Sequence, residues 1–184
     1  MIARITLGLL LALIFWPIAQ AHEGHAGPPV TEIKTRAALK ALLPEGAKLA
    51  KRKQRLKSAA AETVAQRYGQ APETGLVTYY LARDRESGAT LAAALIDRVS
   101  YRHGKIKLAV GLDTQGRLTG AAVLAVNEKY LPDVKGTVGT GLLKDYRGMP
   151  LEELIKRAES AQNEAERAVL GGLRDMALKL AALL

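Results

Sequence analysis

Ile106, Leu108 and Val110 alternate with Lys105, Lys107 and Ala109, the period of two that a half-buried strand requires. A second apolar run, Leu118–Val126, follows across Asp113-Thr114-Gln115-Gly116-Arg117, where Asp and Gly suit a short hairpin turn. Upstream, Leu76-Val77-Thr78-Tyr79-Tyr80-Leu81-Ala82 is β-branched and aromatic. A further run, about Thr90–Val99, can pair with it across Asp84–Gly88. Together these predict an antiparallel β-meander of four or more strands, with Leu108, Val110, Val123 and Val126 buried in it. From Pro150 onward the spacing turns helical. Leu151, Leu154, Ile155 and Ala158 form one apolar stripe; Ala165, Ala168, Val169, Leu173, Met176, Ala177 and Leu180 form another. Gly171-Gly172 weakens the second helix in its middle. Helices packed on one side of an antiparallel sheet define an α+β domain.

The N-terminal half is different in character. Residues 30–69 read as a basic helical segment, broken at Pro44-Glu45-Gly46 into a short helix (about 32–43) and a longer one (about 59–68). Lys48–Lys57, between them, fits either strand or helix. Lys34, Arg36, Lys40, Lys48, Lys51, Arg52, Lys53, Arg55 and Lys57 are opposed only by Glu32 and Glu45 between residues 30 and 57. Such a run can steer an acidic redox partner or make peripheral contact with an anionic membrane surface. It can equally be a solvated face. Nucleic acid is disfavoured as a partner, because no aromatic platform interleaves the lysines.

Residues 1–21 carry the marks of a signal peptide: Arg4, the apolar stretch Ile5–Trp16, and Ala19-Gln20-Ala21 as a cleavage site. The expected product is exported, to a bacterial periplasm, with an uncleaved membrane anchor as the alternative. Its new N-terminus would be His22-Glu23-Gly24-His25, in which His22 and His25 are candidate ligands for copper, nickel or zinc. Pro28-Pro29 follows, so residues 22–31 read first as a flexible leader. The expected organisation is therefore 1–21 signal peptide, 22–31 leader, 32–74 basic segment and 75–184 α+β domain. The chain has no cysteine, which excludes disulfides, thiolate metal sites and thiol redox chemistry. With one Phe, one Trp and six Tyr, its core must be built mainly from Leu, Val, Ala and Ile.

From Gly104 the order is Gly-Lys-Ile, an apolar strand, Asp113-x-x-Gly116-Arg117-Leu118, a second apolar strand, and Asn127-Glu128. A loop with Gly136, Gly139 and Gly141 follows, then Leu143-x-x-Tyr146-x-Gly148. This order, from roughly Leu76 to the C-terminus, resembles the FMN-binding domain. That domain is the extracytoplasmic flavin carrier of the sodium-pumping quinone reductase and Rnf electron-transport complexes and of many small relatives. Leu39–Gly46 also fits the L-x-x-L-x-P-x-G entry common in that family. The resemblance implies FMN as cofactor, electron transfer rather than catalysis as the activity, and membrane redox proteins as partners.

The same resemblance directs attention to Asp84-Arg85-Glu86-Ser87-Gly88-Ala89-Thr90, a literal D-x-x-[ST]-G-A-[ST]. In the family this string attaches FMN through a phosphoester to its last residue, here Thr90. It lies before the meander, however, whereas the family carries it just before the last helix, and Asp, Ser and Gly are also what a turn uses. A turn is the preferred reading and attachment at Thr90 the minority one. At the family's usual place stands Glu159-Ser160-Ala161-Gln162-Asn163-Glu164, where Asn163 has no hydroxyl to esterify. Any flavin is thus expected to be non-covalent. The glycine loop is its candidate site, through amides of Gly136, Gly139 and Gly141 and hydroxyls of Thr137 and Thr140. Tyr79, Tyr80, Tyr130 and Tyr146 can stack on a flavin or fill the core, with core filling preferred. His103 reads as a polar residue near a strand end. Three functions follow: a flavin electron carrier, a flavin-free interaction or assembly module on the same fold, and a metal-handling protein.

Overall fold

A computed structural model describes residues 26–184. Its centre is the expected meander: β3 (Gly75–Arg83), β4 (Thr90–Tyr101), β5 (Gly104–Asp113) and β6 (Leu118–Asn127). Each strand pairs antiparallel with the next, and the register sets Leu108 opposite Val123. Leu108, Val110, Val123 and Val126 are fully buried. Helices α2 (Ser58–Tyr68), α3 (Leu131–Thr137), α4 (Leu151–Glu159) and α5 (Glu164–Ala181) belong to one face, and the domain is α+β.

The N-terminal segment departs from expectation in one respect. Its two helices form, as α1 (Thr35–Leu42) and α2, and Lys48–Leu56 between them takes the strand form of the two conformations open to it, as β2. β2 pairs with β3 along its whole length, from Lys48 opposite Arg83 to Leu56 opposite Gly75. The segment is therefore an integral edge of the sheet. Cross-strand hydrogen bonding overrides the helix preference of Lys, Arg and Gln. The other edge is β6, along which β1 (Pro29–Thr31) and β7 (Gly141–Leu143) pair end to end. Asn127 fastens the β1 end: it accepts from the Lys105 amide (2.7 Å) and donates to the Gly27 carbonyl (2.6 Å).

A second departure is that α1 lies on the opposite face from the other helices. Ala38 and Leu42 pack on Ala109, Ala122 and Leu124, and Leu43 packs on Ala82, Ala92 and Ala94. The sheet residues beneath α1 are mostly small, and Gly111 faces Gly120 across β5 and β6. A Cβ at Gly111 would lie 3.0 Å from the Leu42 carbonyl oxygen, and one at Gly120 would lie 2.8 Å from Leu42 Cδ2. The helix end therefore sits flush on bare backbone.

Helix α5 runs unbroken through Gly171-Gly172. A Cβ at Gly172 would fall 2.5 Å from Val99 Cγ1 and 2.8 Å from Leu108 Cδ1, whereas one at Gly171 would meet nothing within 4 Å. Gly172 lets α5 approach the sheet; Gly171 merely lowers helix propensity. Adjacent substitutions should therefore act with opposite sign. Gly171→Ala is expected to stabilise by about 0.5–1 kcal/mol, and Gly172→Ala to destabilise by about 1–3 kcal/mol through overpacking. Urea midpoints of the two variants check this.

Candidate functional site

The string Asp84–Thr90 is the β3–β4 hairpin connection. The Asp84 carboxylate accepts from the Ser87 amide (2.8 Å), the Ser87 hydroxyl (2.7 Å) and the Glu86 amide (3.2 Å). Gly88 takes φ +72, and Thr90 opens β4 opposite Arg83. Asp, Ser and Gly are all used in closing the turn. At the other candidate position, the Asn163 side chain caps α5 by accepting from the Glu166 amide (2.9 Å). The Glu166 carboxylate answers by accepting from the Gln162 amide (2.8 Å).

The glycine-rich stretch is only partly a loop. Gly136 and Thr137 end α3, and Gly141 begins β7. Both threonine hydroxyls are engaged, Thr137 with the carbonyls of Asp133 and Val134 and Thr140 with Glu32 Oε2. Gly139 and Gly141 supply positive φ for the turn between these elements. Tyr79, Tyr130 and Tyr146 are buried in the main core, and Tyr80 is half-buried beside Leu43. Burial chiefly pushes the Tyr146 phenol above its ordinary value, while Arg157 pulls it back. His103 occupies the two-residue β4–β5 turn beside Arg102, whose φ is +52. Arg102 pairs with Asp133 and Glu164 at 3.0 Å each and stacks on Tyr101, fastening this turn to α3 and α5. His22 and His25 lie outside the described residues. Among the described residues no three His, Asp or Glu side chains are placed to hold a metal ion, and no helix is long and apolar enough to cross a membrane.

What the fold does bring together is two of the sequence marks, Asp113–Leu118 and Leu143–Gly148. Gly148 N–H donates to the Leu118 carbonyl (2.7 Å), and Leu118 N–H donates to the Met149 carbonyl (2.8 Å). Against them sits the end of α1, and the three enclose a cavity of about 520 Å³. Lys40, Arg117 and Arg147 line it, with Glu45 and Asp113 as the carboxylates. Asp113 is already committed, since its Oδ1 accepts from the amides of Gln115 (2.9 Å) and Arg117 (2.8 Å). Arg117 Nη1 donates to the Gly148 carbonyl (2.8 Å) and Arg147 Nη2 to the Ala41 carbonyl (2.7 Å), leaving further N–H groups on each fork. Thr119 also lines the cavity, and its Oγ1 is buried without a hydrogen-bond partner among the described residues.

A second cavity of about 290 Å³ shares Ala41, Leu42 and Arg147 with the first. It continues past Gly120 and Ala121 to Leu142 and Leu143, and is mainly apolar apart from Lys144 and Arg147. The groove therefore has a cationic mouth and an apolar slot. The five loop residues named from sequence do not line it, nor does Thr90. Arg117, Thr119 and Arg147 were missed as site residues. The available signal was a cation at the end of each of the two motifs.

No protein-family model, curated protein or solved structure matches the chain.

The Asp84 turn carries a pH dependence. Hydrogen bonds from the Ser87 amide and hydroxyl hold the carboxyl below its ordinary value of 3.8. A depressed carboxylate adds stability that is fully present above the ordinary value and is lost as pH falls through the depressed one. Wild type should therefore lose part of its stability between those values. Asp84→Ala should be weaker at neutral pH with a flatter acid limb, as read from urea midpoints across that range.

Proposed function

We propose that this chain is an exported flavin carrier that holds FMN non-covalently in the groove under α1 and exchanges electrons with membrane redox proteins. The observation that carries the reading is the buried, unpartnered Thr119 hydroxyl beside Lys40, Arg117 and Arg147. An unsatisfied buried polar group costs about 1–3 kcal/mol. A phosphate ester would accept a hydrogen bond from that hydroxyl and charge-assisted bonds from the two guanidinium forks. The adjoining slot between Leu42, Gly120, Leu142 and Leu143 suits a planar, largely apolar ring system. Both cavity volumes lie close to the ~300–1,000 Å³ range of small-ligand sites.

FMN would supply reversible electron transfer, and the protein the binding, orientation and electrostatics. Lys40, Arg117, Arg147 and Thr119 would hold the phosphate. Arg147, common to both cavities, would place positive charge toward the ring and favour its reduced, more anionic form. Thr90 has no part in this arrangement.

One observation favours the second reading, a flavin-free interaction or assembly module. Asn163 stands where the resembled family carries its attachment hydroxyl, and its side chain is used to cap α5.

Titration of the purified chain with FMN and with riboflavin, followed by flavin fluorescence, separates the two. The carrier reading expects saturable FMN binding, weaker riboflavin binding, and full release of FMN on denaturation. Arg117→Gln or Arg147→Gln should weaken FMN binding by about 10- to 100-fold, and Thr90→Ala should leave it unchanged. Absence of FMN binding removes the carrier reading in favour of the flavin-free module.

A further inference from the structure

Among the described residues, the face of the sheet that α1 occupies is covered only in part. Cross-strand register places Lys51, Lys53 and Arg55 of β2 on this face beside Tyr80, Thr78 and Leu76 of β3. The same register places Arg98 of β4 opposite Lys107 of β5, and Ser100 opposite Lys105. On the opposite face Val77, Tyr79, Leu81 and Leu95 are buried, whereas here Lys51, Lys53, Arg55, Thr78, Arg98 and Lys105 are exposed. Leu76 is 56% and Leu49 49% exposed on the same face. Six cations thus project from three strands of one sheet. Among the described residues none of the six is paired with a carboxylate; Lys107 donates to the Thr35 hydroxyl (2.9 Å). Asp97 of β4 belongs to the other face by its register with Leu108.

Protection of an open sheet edge explains lysines on β2, because a charged edge resists pairing with another chain. It does not explain Lys107, which is paired on both sides, with Arg98 of β4 and Ala125 of β6, or the gathering of Arg98 and Lys105 beside it on the same face. At the corner these three share lies a cavity of about 410 Å³, completed by Thr31, His103 and Asn127. It has the size of a small polar ligand and cationic walls.

We propose that this face is a docking surface for an anionic phospholipid membrane. Adjacent paired strands lie ~4.8 Å apart, so β2 to β5 spans roughly 15 Å where they pair, and one anionic surface can meet all six charges at once. Each cation held at an anionic bilayer surface adds to the attraction, and the exposed Leu49 and Leu76 can enter the interfacial layer. The corner cavity takes a lipid phosphate between Arg98, Lys105 and Lys107. The proposal does not depend on flavin, since the groove under α1 uses other residues.

The test is sedimentation of the full chain with vesicles of phosphatidylcholine alone and of phosphatidylcholine mixed with phosphatidylglycerol. Wild type is compared with Lys53→Gln/Arg98→Gln/Lys105→Gln and with an equally discharged control, Lys129→Gln/Lys135→Gln/Lys156→Gln. Circular dichroism melts establish that all three are folded. The apolar stretch Ile5–Trp16 is common to all three, so the differences between them isolate the face. The expected result is wild-type preference for the anionic vesicles, weakening as salt rises. The face variant should lose on the order of 30- to 100-fold in partitioning, and the control much less. Equal losses in the two variants would reduce the effect to net charge and overturn the proposal. Indifference of wild type to phosphatidylglycerol, with face-dependent binding to polyglutamate, would overturn it in favour of an acidic protein partner.

Discussion

Leu42 rests where two facing glycines present no side chains, and the arrangement of the α1 face follows from that contact. Gly111 and Gly120 lie opposite each other on β5 and β6, ringed by Ala92, Ala94, Ala109 and Ala122. Bulk at any of these positions would lift the helix from the sheet. Because α1 sits flush, its last turn reaches far enough for the Ala41 carbonyl to accept from Arg147. The same docking roofs Thr119, which would otherwise be a solvated strand residue. The groove is therefore a product of tertiary packing, and its walls come from three separate segments, the outermost of which, joined by the Ala41–Arg147 bond, lie 106 residues apart. The shortness of α1 matters as much. With eight residues it covers only part of the face, and the uncovered remainder carries the cations.

The meander and the terminal helices were legible because their strands and stripes each bury one continuous apolar set. β2 was not. Lys51, Arg52, Lys53, Gln54 and Arg55 are exposed on both sides of an edge strand, so neither a period of two nor one of 3.6 is written into them. Only pairing with β3, a long-range event, determines their conformation. The glycine-rich stretch differs from the expected loop for a related reason. Gly136 and Thr137 finish a helix that begins at Leu131, and Thr137 turns its hydroxyl back onto Asp133. Of the candidate site, Arg117 and Arg147 were visible as the cations within the two motifs, but their convergence required the strand order. Nothing in the local sequence marks Thr119.

The string Asp84–Thr90 shows how one set of residues can serve two chemistries. Asp, Ser and Gly build a tight backbone, and a tight backbone is what both an attachment site and a hairpin need. The context differs. Here the carboxylate is turned inward on Ser87, and the chain leaves directly into a paired strand. Asn163 makes the converse point. At the start of α5 a side-chain oxygen is worth more as a cap than as a nucleophile, and Asn provides the first without the second.

β1 is three residues long and joins β6 across almost a hundred residues of intervening chain. The other strand pairs of the sheet close over much shorter distances, and short closures form early while remote ones form late. A late, short element also opens first, because few hydrogen bonds and little apolar area resist it. The Asn127 bonds to Gly27 and Lys105 act as a latch on that element. When the latch releases, Gly27 to Thr31 leaves the sheet edge while the meander and α5 stay closed. Opening is then local: one end of β6 becomes a bare strand edge, able to pair with another strand, in a molecule that is otherwise folded.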